Sequence, residues 1–196
     1  MPRPDVSDER IPQILEAAAR VFNRKGIAAT RMEDIAREAK LSVGGVYWYY
    51  KGKDDVILAI MDRLIDEDVV ALKSMLGAPG TVRERLLAYV QTSIPEAMAY
   101  MPLTYDLYTL AHRDAKVRRH IQRYFTHYRN ALAEIIQQGM DAGELCEGDA
   151  AAAAAALAAL YEGTLELASL DPHNLDAVQM LTQSVNVVFD GLEKQR

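Results

Sequence analysis

Residues 30–53 read TRMEDIAREAKLSVGGVYWYYKGK, and this stretch decides the fold class. Thr30 precedes a helical pattern of apolar residues and is followed three positions later by Glu33, which is the spacing of a capping box. Ser42 is a good N-cap for a second short helix, and residues 40–41 form the turn between the two helices. Two short helices joined by such a turn predict a helix-turn-helix.

The second of these helices carries the residues that would meet DNA. In a helix-turn-helix it enters the major groove, so Gly44 and Gly45 would let its backbone approach the bases and Val43 could contact a thymine methyl group. Three consecutive aromatic residues, 47–49, cannot all be buried on one helix face, which leaves hydroxyl and indole N–H groups for phosphate oxygens. Lys53 adds a cation at the start of the next helix. The alternative is an aromatic core cluster beside a glycine loop.

Residues 14–53 resemble the TetR family of bacterial repressors. The resemblance is carried by Ile14-Leu15-Glu16-Ala17-Ala18, Phe22, Gly26, Thr30, Asp34-Ile35-Ala36, Ala39, Leu41-Ser42, Gly44, Tyr47, Tyr50 and Lys53. It implies an all-α protein of about nine helices, with an N-terminal three-helix helix-turn-helix domain followed by a C-terminal helical ligand-binding and dimerisation domain. We place the DNA-binding domain at residues 1–53 and the ligand-binding and dimerisation domain at residues 54–196.

The same resemblance assigns roles to single residues of the helix-turn-helix. Contacts to phosphates would come from Thr30, Arg31, Ser42, Tyr47, Tyr49 and Lys53. Base edges would be met by Val43, Gly44, Gly45 and Trp48. Because the second helix offers no Arg, Asn or Gln at its leading edge, we expect sparse direct readout that leans on apolar contacts, backbone approach and DNA shape.

Charge is distributed unevenly along the chain. The whole chain has a formal net charge of −6, yet residues 1–53 hold ten Lys and Arg against seven Asp and Glu, a balance of +3. The remaining residues therefore carry −9. A basic head before an acidic body predicts two tasks in one chain, since attraction of phosphate needs only a local positive patch.

The second part of the chain reads as further helices. Gly26 is placed to end the first helix, Thr81 with Glu84 forms a capping box, and Asp149 can cap an alanine-rich helix. Pro95 and Pro102 are expected to kink or end the segment that contains them.

The last two helices predict a homodimer. Ala150–Ala159 would allow close approach of helices, and apolar area would come from Leu160, Leu167, Val185, Val188 and Phe189, which together favour a four-helix bundle shared by two subunits. An internal hairpin is the alternative. A dimer would present two recognition helices to a palindromic double-stranded DNA operator, and a ligand that favours a different spacing would release it.

Tyrosine, methionine and histidine side chains in the central helices are candidates for a cavity that binds a small-molecule effector, because they combine apolar walls with polar tips. The candidates are Tyr89, Met98, Tyr105, Tyr108, His112, Tyr124, His127, Tyr128 and Tyr161. Carboxylates at Glu96, Asp106, Glu162 and Glu166 would suit a cationic ligand. Core packing explains the aromatic residues equally well, and a solvated surface explains the carboxylates.

We also searched the sequence for motifs of other functions. We find no nucleotide-binding loop, no nucleophile elbow and no zinc-protease motif, and the histidines lack the spacing of a metal site, so we expect no enzyme activity, no cofactor and no metal. A small-molecule-binding enzyme or a helical protein-binding adaptor without DNA activity remains the alternative. Without a signal peptide or an apolar run of about 18 residues, we expect a cytoplasmic protein with no membrane partner, in which Cys146 is a bystander or a redox sensor.

Overall fold

The structure, a computed structural model, describes residues 7–192. Over these residues the chain forms nine α-helices and one short 3-10 turn at Met75–Gly77, with no β-strand. The helices are α1 (Ser7–Lys25), α2 (Met32–Glu38), α3 (Val43–Tyr49), α4 (Lys53–Ser74), α5 (Val82–Ala99), α6 (Met101–Ala111), α7 (Ala115–Asp141), α8 (Ala150–Leu170) and α9 (Ala177–Leu192). The predicted all-α class is confirmed.

The helices form two compact units. The head unit comprises Met1–Leu64 with Pro102–Ile121, and the body unit comprises Ile65–Met101 with Gln122–Arg196. The head unit is therefore built from two separate stretches of chain, and it includes α6 as well as the helix-turn-helix. The functional boundary at residue 53 stays a prediction.

The core of the head unit explains why α6 belongs to it. Its buried apolar side chains come from α1, the loop after α1, α2, α3, the first half of α4, α6 and the start of α7. They are Ile14, Leu15, Ala18, Phe22, Ile27, Met32, Ile35, Ala36, Val46, Val56, Ile57, Ile60, Met61, Leu103, Leu107, Ala111 and Val117. Removal of this apolar area from water is the main force that holds the short helices α2 and α3 in place, because helices of seven residues are not stable alone.

Local sequence signals set most helix ends as predicted. Gly26 ends α1 with a φ of +80°, a left-handed conformation that favours glycine, and its N–H donates to the Phe22 carbonyl at 2.7 Å. Ser42 caps α3, because its side-chain oxygen accepts the Gly45 N–H at 3.0 Å. Asp149 caps α8 in the same way, accepting the Ala152 N–H at 3.0 Å.

The predicted cap of α2 is wrong by one residue. The N-cap is Arg31, and its N–H donates to the carboxylate of Asp34 at 3.2 Å, so Asp34 rather than Glu33 reaches back to the cap. The Thr30 side chain is buried instead, and its hydroxyl donates to the Gly26 carbonyl at 2.8 Å. Thr30 thus closes the loop before α2 and does not begin the helix.

In the body unit, α5 packs against α9 and α8, and α8 packs against α9. The predicted capping box at the start of α5 is confirmed: Thr81 accepts the Glu84 N–H at 3.2 Å, and Glu84 accepts the Thr81 N–H at 2.8 Å. Pro95 does not end α5, which continues to Ala99. Pro102 lies in the first turn of α6, where a missing N–H removes no intrahelical bond.

Among the described residues, α8 is long and apolar enough to cross a membrane by length and composition alone. Core helices of globular proteins pass the same test, and α8 packs against α5 and α9 and buries Leu157, Tyr161 and Leu165. This packing accounts for part of the apolar character of the helix.

Candidate nucleic-acid interface and effector site

One face of α3 is open and largely apolar. Trp48 is 84% exposed, Tyr47 is 48% exposed and Val43 is 36% exposed, whereas Val46 is fully buried. At about 100° per residue, positions 43, 44, 47 and 48 share an arc of about 140° on the side away from Val46. A side chain at Gly44 would meet nothing within 4 Å, so the backbone itself is accessible there. The structure thus brings together four of the ten predicted DNA-binding residues.

Two aromatic residues at the end of α3, the predicted DNA contact Tyr49 and its neighbour Tyr50, face inward. Tyr49 and Tyr50 are half-buried and pack against the core of the head unit. Burial raises the pKa of the Tyr50 hydroxyl. Tyr49 is therefore less exposed than Tyr47 and Trp48, and its contact with phosphate stays a prediction.

Lys53 holds the loop that precedes α2. Its ammonium donates to the Ile27 carbonyl at 2.6 Å, to the Thr30 carbonyl at 3.1 Å and to the Ala28 carbonyl at 3.4 Å. These three bonds match the three N–H groups of an ammonium. A contact with phosphate through Lys53 stays a prediction, and in this arrangement it would act through charge.

Asp106 on α6 contacts the same loop, a role that sequence analysis missed. Its carboxylate accepts the Ile27 N–H at 2.7 Å, and a side chain at Gly26 would come within 3.3 Å of that oxygen. The partners lie 79 positions apart, so no local pattern could have revealed them. Together with Lys53, Asp106 fixes the end of α1 relative to the start of α2.

Ion pairs on the surface of the head unit orient α2 against α1. Glu38 accepts from Arg20 at 3.1 Å and from Arg24 at 3.0 Å, and Lys25 lies 2.9 Å from Asp34. Hydrogen bonds from Arg24 and Arg20 lower the pKa of Glu38, and the bond from Lys25 lowers the pKa of Asp34. Part of the positive charge of the head unit is therefore paired with carboxylates of the same unit.

Comparison with known families identifies both parts of the chain. Residues 14–60 match the model of bacterial regulatory proteins of the tetR family, and residues 82–192 match the C-terminal model of BetI-type transcriptional repressors. The chain belongs to the TetR family. It is a helix-turn-helix transcriptional regulator of the ligand-responsive type, as the sequence predicted. TetR-family regulators bind operator DNA and small-molecule effectors and act as dimers.

Similar proteins align with nearly the whole length of the chain. A BetI regulator of Rhizobium meliloti is 28% identical over 190 residues, which covers 93% of this chain and 90% of the relative. A transcriptional regulator of Saccharomonospora viridis, solved with choline, has a TM-score of 0.82 at 22% identity and covers 96% of this chain and 100% of its own. SmeT, the repressor of a multidrug efflux pump of Stenotrophomonas maltophilia, has a TM-score of 0.76 at 24% identity, covering 94% and 91%. The likeness to both structures shows the fold.

Three of the nine predicted effector residues lie together in the body unit. The rings of Tyr124 and Tyr128 are 5.8 Å apart, and those of Tyr128 and Tyr161 are 5.9 Å apart. Tyr128 and Tyr161 are buried, and Tyr124 is half-buried. The set is a row of aromatic rings that joins α7 to α8.

The other predicted effector residues are dispersed. Tyr89 and Met98 are half-buried on α5, and His127 is exposed on α7. Three more belong to the head unit, namely Tyr105, Tyr108 and His112. Residue type and position in the central helices single out these residues, and neither property specifies which neighbouring helix each one meets.

A groove of about 440 Å³ lies between α7 and α8 in the body unit. Its lining consists of Gln122, Phe125, Thr126, Arg129, Ala155, Ala158, Ala159 and Glu162, and includes none of the nine predicted effector residues. The small residues of α8 form one wall, which is why the alanine-rich sequence leaves space there. Of the residues that sequence analysis singled out for a ligand, Glu162 alone lines this groove.

The outer side of α8 carries exposed apolar residues. Leu167 and Leu170 are 49% and 71% exposed, and Val187 on α9 is 73% exposed. Val185 and Phe189 are buried inside the body unit, so the expectation that they supply dimer surface is wrong. On α9, positions 185 and 189 face α5 and α8, which leaves Val187 on the opposite side.

Proposed function

We propose that the protein is a repressor that binds a palindromic operator as a homodimer and releases it when a small molecule binds the body unit. The observation that carries this proposal is the open face of α3, with Val43, Tyr47 and Trp48 exposed on the helix that enters the major groove in this class of protein. We place the DNA-binding function in residues 1–53 and the remaining functions in residues 54–196.

The ten positions proposed for DNA binding differ in what the structure supports. Exposed side chains favour Arg31, Val43, Tyr47 and Trp48 as direct contacts. The Ser42 hydroxyl caps α3, and Lys53 donates to loop carbonyls, so these two would contribute through position and charge. A further group would act by shaping the surface: Gly44 and Gly45 through close backbone approach, and Thr30 and Tyr49 through packing.

We propose the exposed side of α8, extended by Val187 of α9, as the dimer surface. Small side chains in the first half of α8 permit close approach of a second helix, and Leu167 and Leu170 add apolar area in the second half. A two-fold axis through this surface would need to place the two α3 helices roughly 34–36 Å apart to reach successive major grooves.

We propose the body unit as the effector site. The structures of relatives with choline and with triclosan support a small molecule as the effector. The groove between α7 and α8 and the nearby aromatic row are the features in the body unit that support this placement. A regulator that binds chromosomal DNA would act in the cytoplasm.

The test of this function is a footprint on the DNA that flanks the protein's own gene, followed by titration at two salt concentrations. Tyr47→Ala is expected to weaken binding by about fivefold to a hundredfold, since it removes an exposed contact at the groove. Tyr100→Ala, the same change at an exposed tyrosine of the body unit, is the matched control and should leave affinity unchanged.

Two results would contradict the proposal. Absence of a protected site at any salt concentration would argue against operator binding by this chain. A monomeric protein in sedimentation experiments would argue against the dimer and against a palindromic site.

A further inference from the structure

The open face of α3 has few groups that can form hydrogen bonds to bases. Of its four positions, Val43 and Gly44 offer no polar side-chain atom, and Tyr47 and Trp48 each offer a single one at the ring edge. The whole helix, Val43–Tyr49, has no carboxylate, amide, guanidinium or ammonium group. Ser42, at its start, uses its side-chain oxygen to cap the Gly45 N–H.

This composition limits how α3 can distinguish base pairs. Guanine is usually read by the two donors of an arginine and adenine by the amide of Asn or Gln, and α3 has neither. The apolar feature that the major groove presents is the C5 methyl group of thymine. The binding free energy of a hydrophobic protein face is most favourable where the face covers that methyl group, because both apolar surfaces are then removed from water.

We propose that Val43 and Trp48 recognise thymine C5 methyl groups in each half of the operator, so that specificity rests on apolar contact. This inference depends on the proposed function, because it requires α3 to lie in the major groove. Trp48 is the more important of the two, since it is the most exposed large apolar side chain among the described residues. Val43 lies at the leading end of the helix, five positions earlier.

The test replaces single thymidines of the operator with deoxyuridine. This change removes the methyl group and leaves every hydrogen-bonding atom of the base pair in place. Using the full-length protein and the footprinted operator, we expect one or two positions in each half-site to lose about fourfold in affinity, the value of one buried methyl group. Replacing the T·A pair at the same positions with a C·G pair should cost more affinity. Replacing that deoxycytidine with 5-methyldeoxycytidine should recover part of the loss.

Variants of the protein link each methyl group to a side chain. In Trp48→Ala or Val43→Ala, the penalty for deoxyuridine should vanish at the thymine that the missing side chain covers and persist elsewhere. Trp48→Phe, which keeps an apolar ring, should retain part of the penalty. Since both residues are exposed, circular dichroism is expected to show an unchanged fold, and Tyr100→Ala again serves as the control.

Trp48 is also a fluorescent probe of its own environment, because it is the one tryptophan in the chain. Its fluorescence should change when the operator binds, and the change should be smaller with deoxyuridine at the coupled position. If deoxyuridine at every thymine of a half-site alters affinity less than twofold, the inference is overturned while the proposed function stands. If no footprint forms, the proposed function itself fails.

Discussion

The head unit and the body unit each hold a loop in place with one cation, and the two cations differ in burial. In the head unit, the Lys53 ammonium donates to carbonyls within residues 27–30. In the body unit, Arg85 donates to the Met75 carbonyl at 2.6 Å and to the side-chain oxygen of Gln138 at 2.8 Å. Lys53 is half-buried, whereas Arg85 is only 7% exposed.

Because the two cations differ in burial, similar hydrogen bonds to loop carbonyls are expected to have different consequences. Water can replace a half-buried ammonium at the carbonyls it leaves, so Lys53 is free to have a second role at the DNA surface. Water replaces a buried guanidinium much less readily, and the carbonyls around Arg85 depend on it. We therefore expect Arg85 to act on stability alone and Lys53 to act on both stability and DNA binding.

The largest expected effect is that of Arg85→Met on the free energy of unfolding. The change leaves carbonyl oxygens near residues 75–81 without their donor, and we expect a loss of about 2–4 kcal/mol. Urea denaturation measures it. Arg24→Met, at an exposed arginine paired with Glu38, is the control and should cost less than about 1 kcal/mol. Equal losses in the two variants would remove burial as the explanation.

Lys53→Met should have a smaller effect on stability, about 1 kcal/mol, together with weaker DNA binding. If the charge of Lys53 acts on phosphate, the slope of log affinity against log salt should fall by about one. Lys51→Met removes the same charge from an exposed position nearby and should leave the stability unchanged. An unaltered salt slope for Lys53→Met would restrict Lys53 to the loop.

The smallest effect concerns the ion pairs of α2. The pKa of Glu38 lies below its ordinary value of 4.5, so its contribution to stability is complete above that pH and is lost as the pH falls through the lowered pKa. We expect Glu38→Gln to lower the urea midpoint near neutral pH and to match the unaltered protein in strong acid. A gap between the two proteins that stays constant with pH would show that the pairs with Arg20 and Arg24 do not matter.

Sequence predicts the features of this molecule that depend on neighbours in the chain. Ser42, Thr81 and Asp149 cap helices through bonds to residues three positions later, and such bonds leave a visible pattern. The sequence does not specify the cap of α2, because Thr30 with Glu33 and Arg31 with Asp34 have the same spacing and only packing decides between them.

Features that depend on distant residues escaped prediction. Arg85 reaches Gln138 across 53 positions, and the groove between α7 and α8 depends on which helices meet. Periodicity shows that α9 has an apolar face without showing what covers it, so the sequence alone does not reveal that Val185 and Phe189 are buried inside the body unit.

The bond between Asp106 and the Ile27 N–H has a consequence for engineering. Exchanging recognition specificity between two such regulators at a cut after residue 53 or 64 would separate the helix-turn-helix from α6, leaving Leu103 and Leu107 facing a foreign surface. A chimera that also transplants residues 102–121 keeps the native partners together. Modularity in this chain therefore follows contacts in space, and a graft needs two segments of sequence.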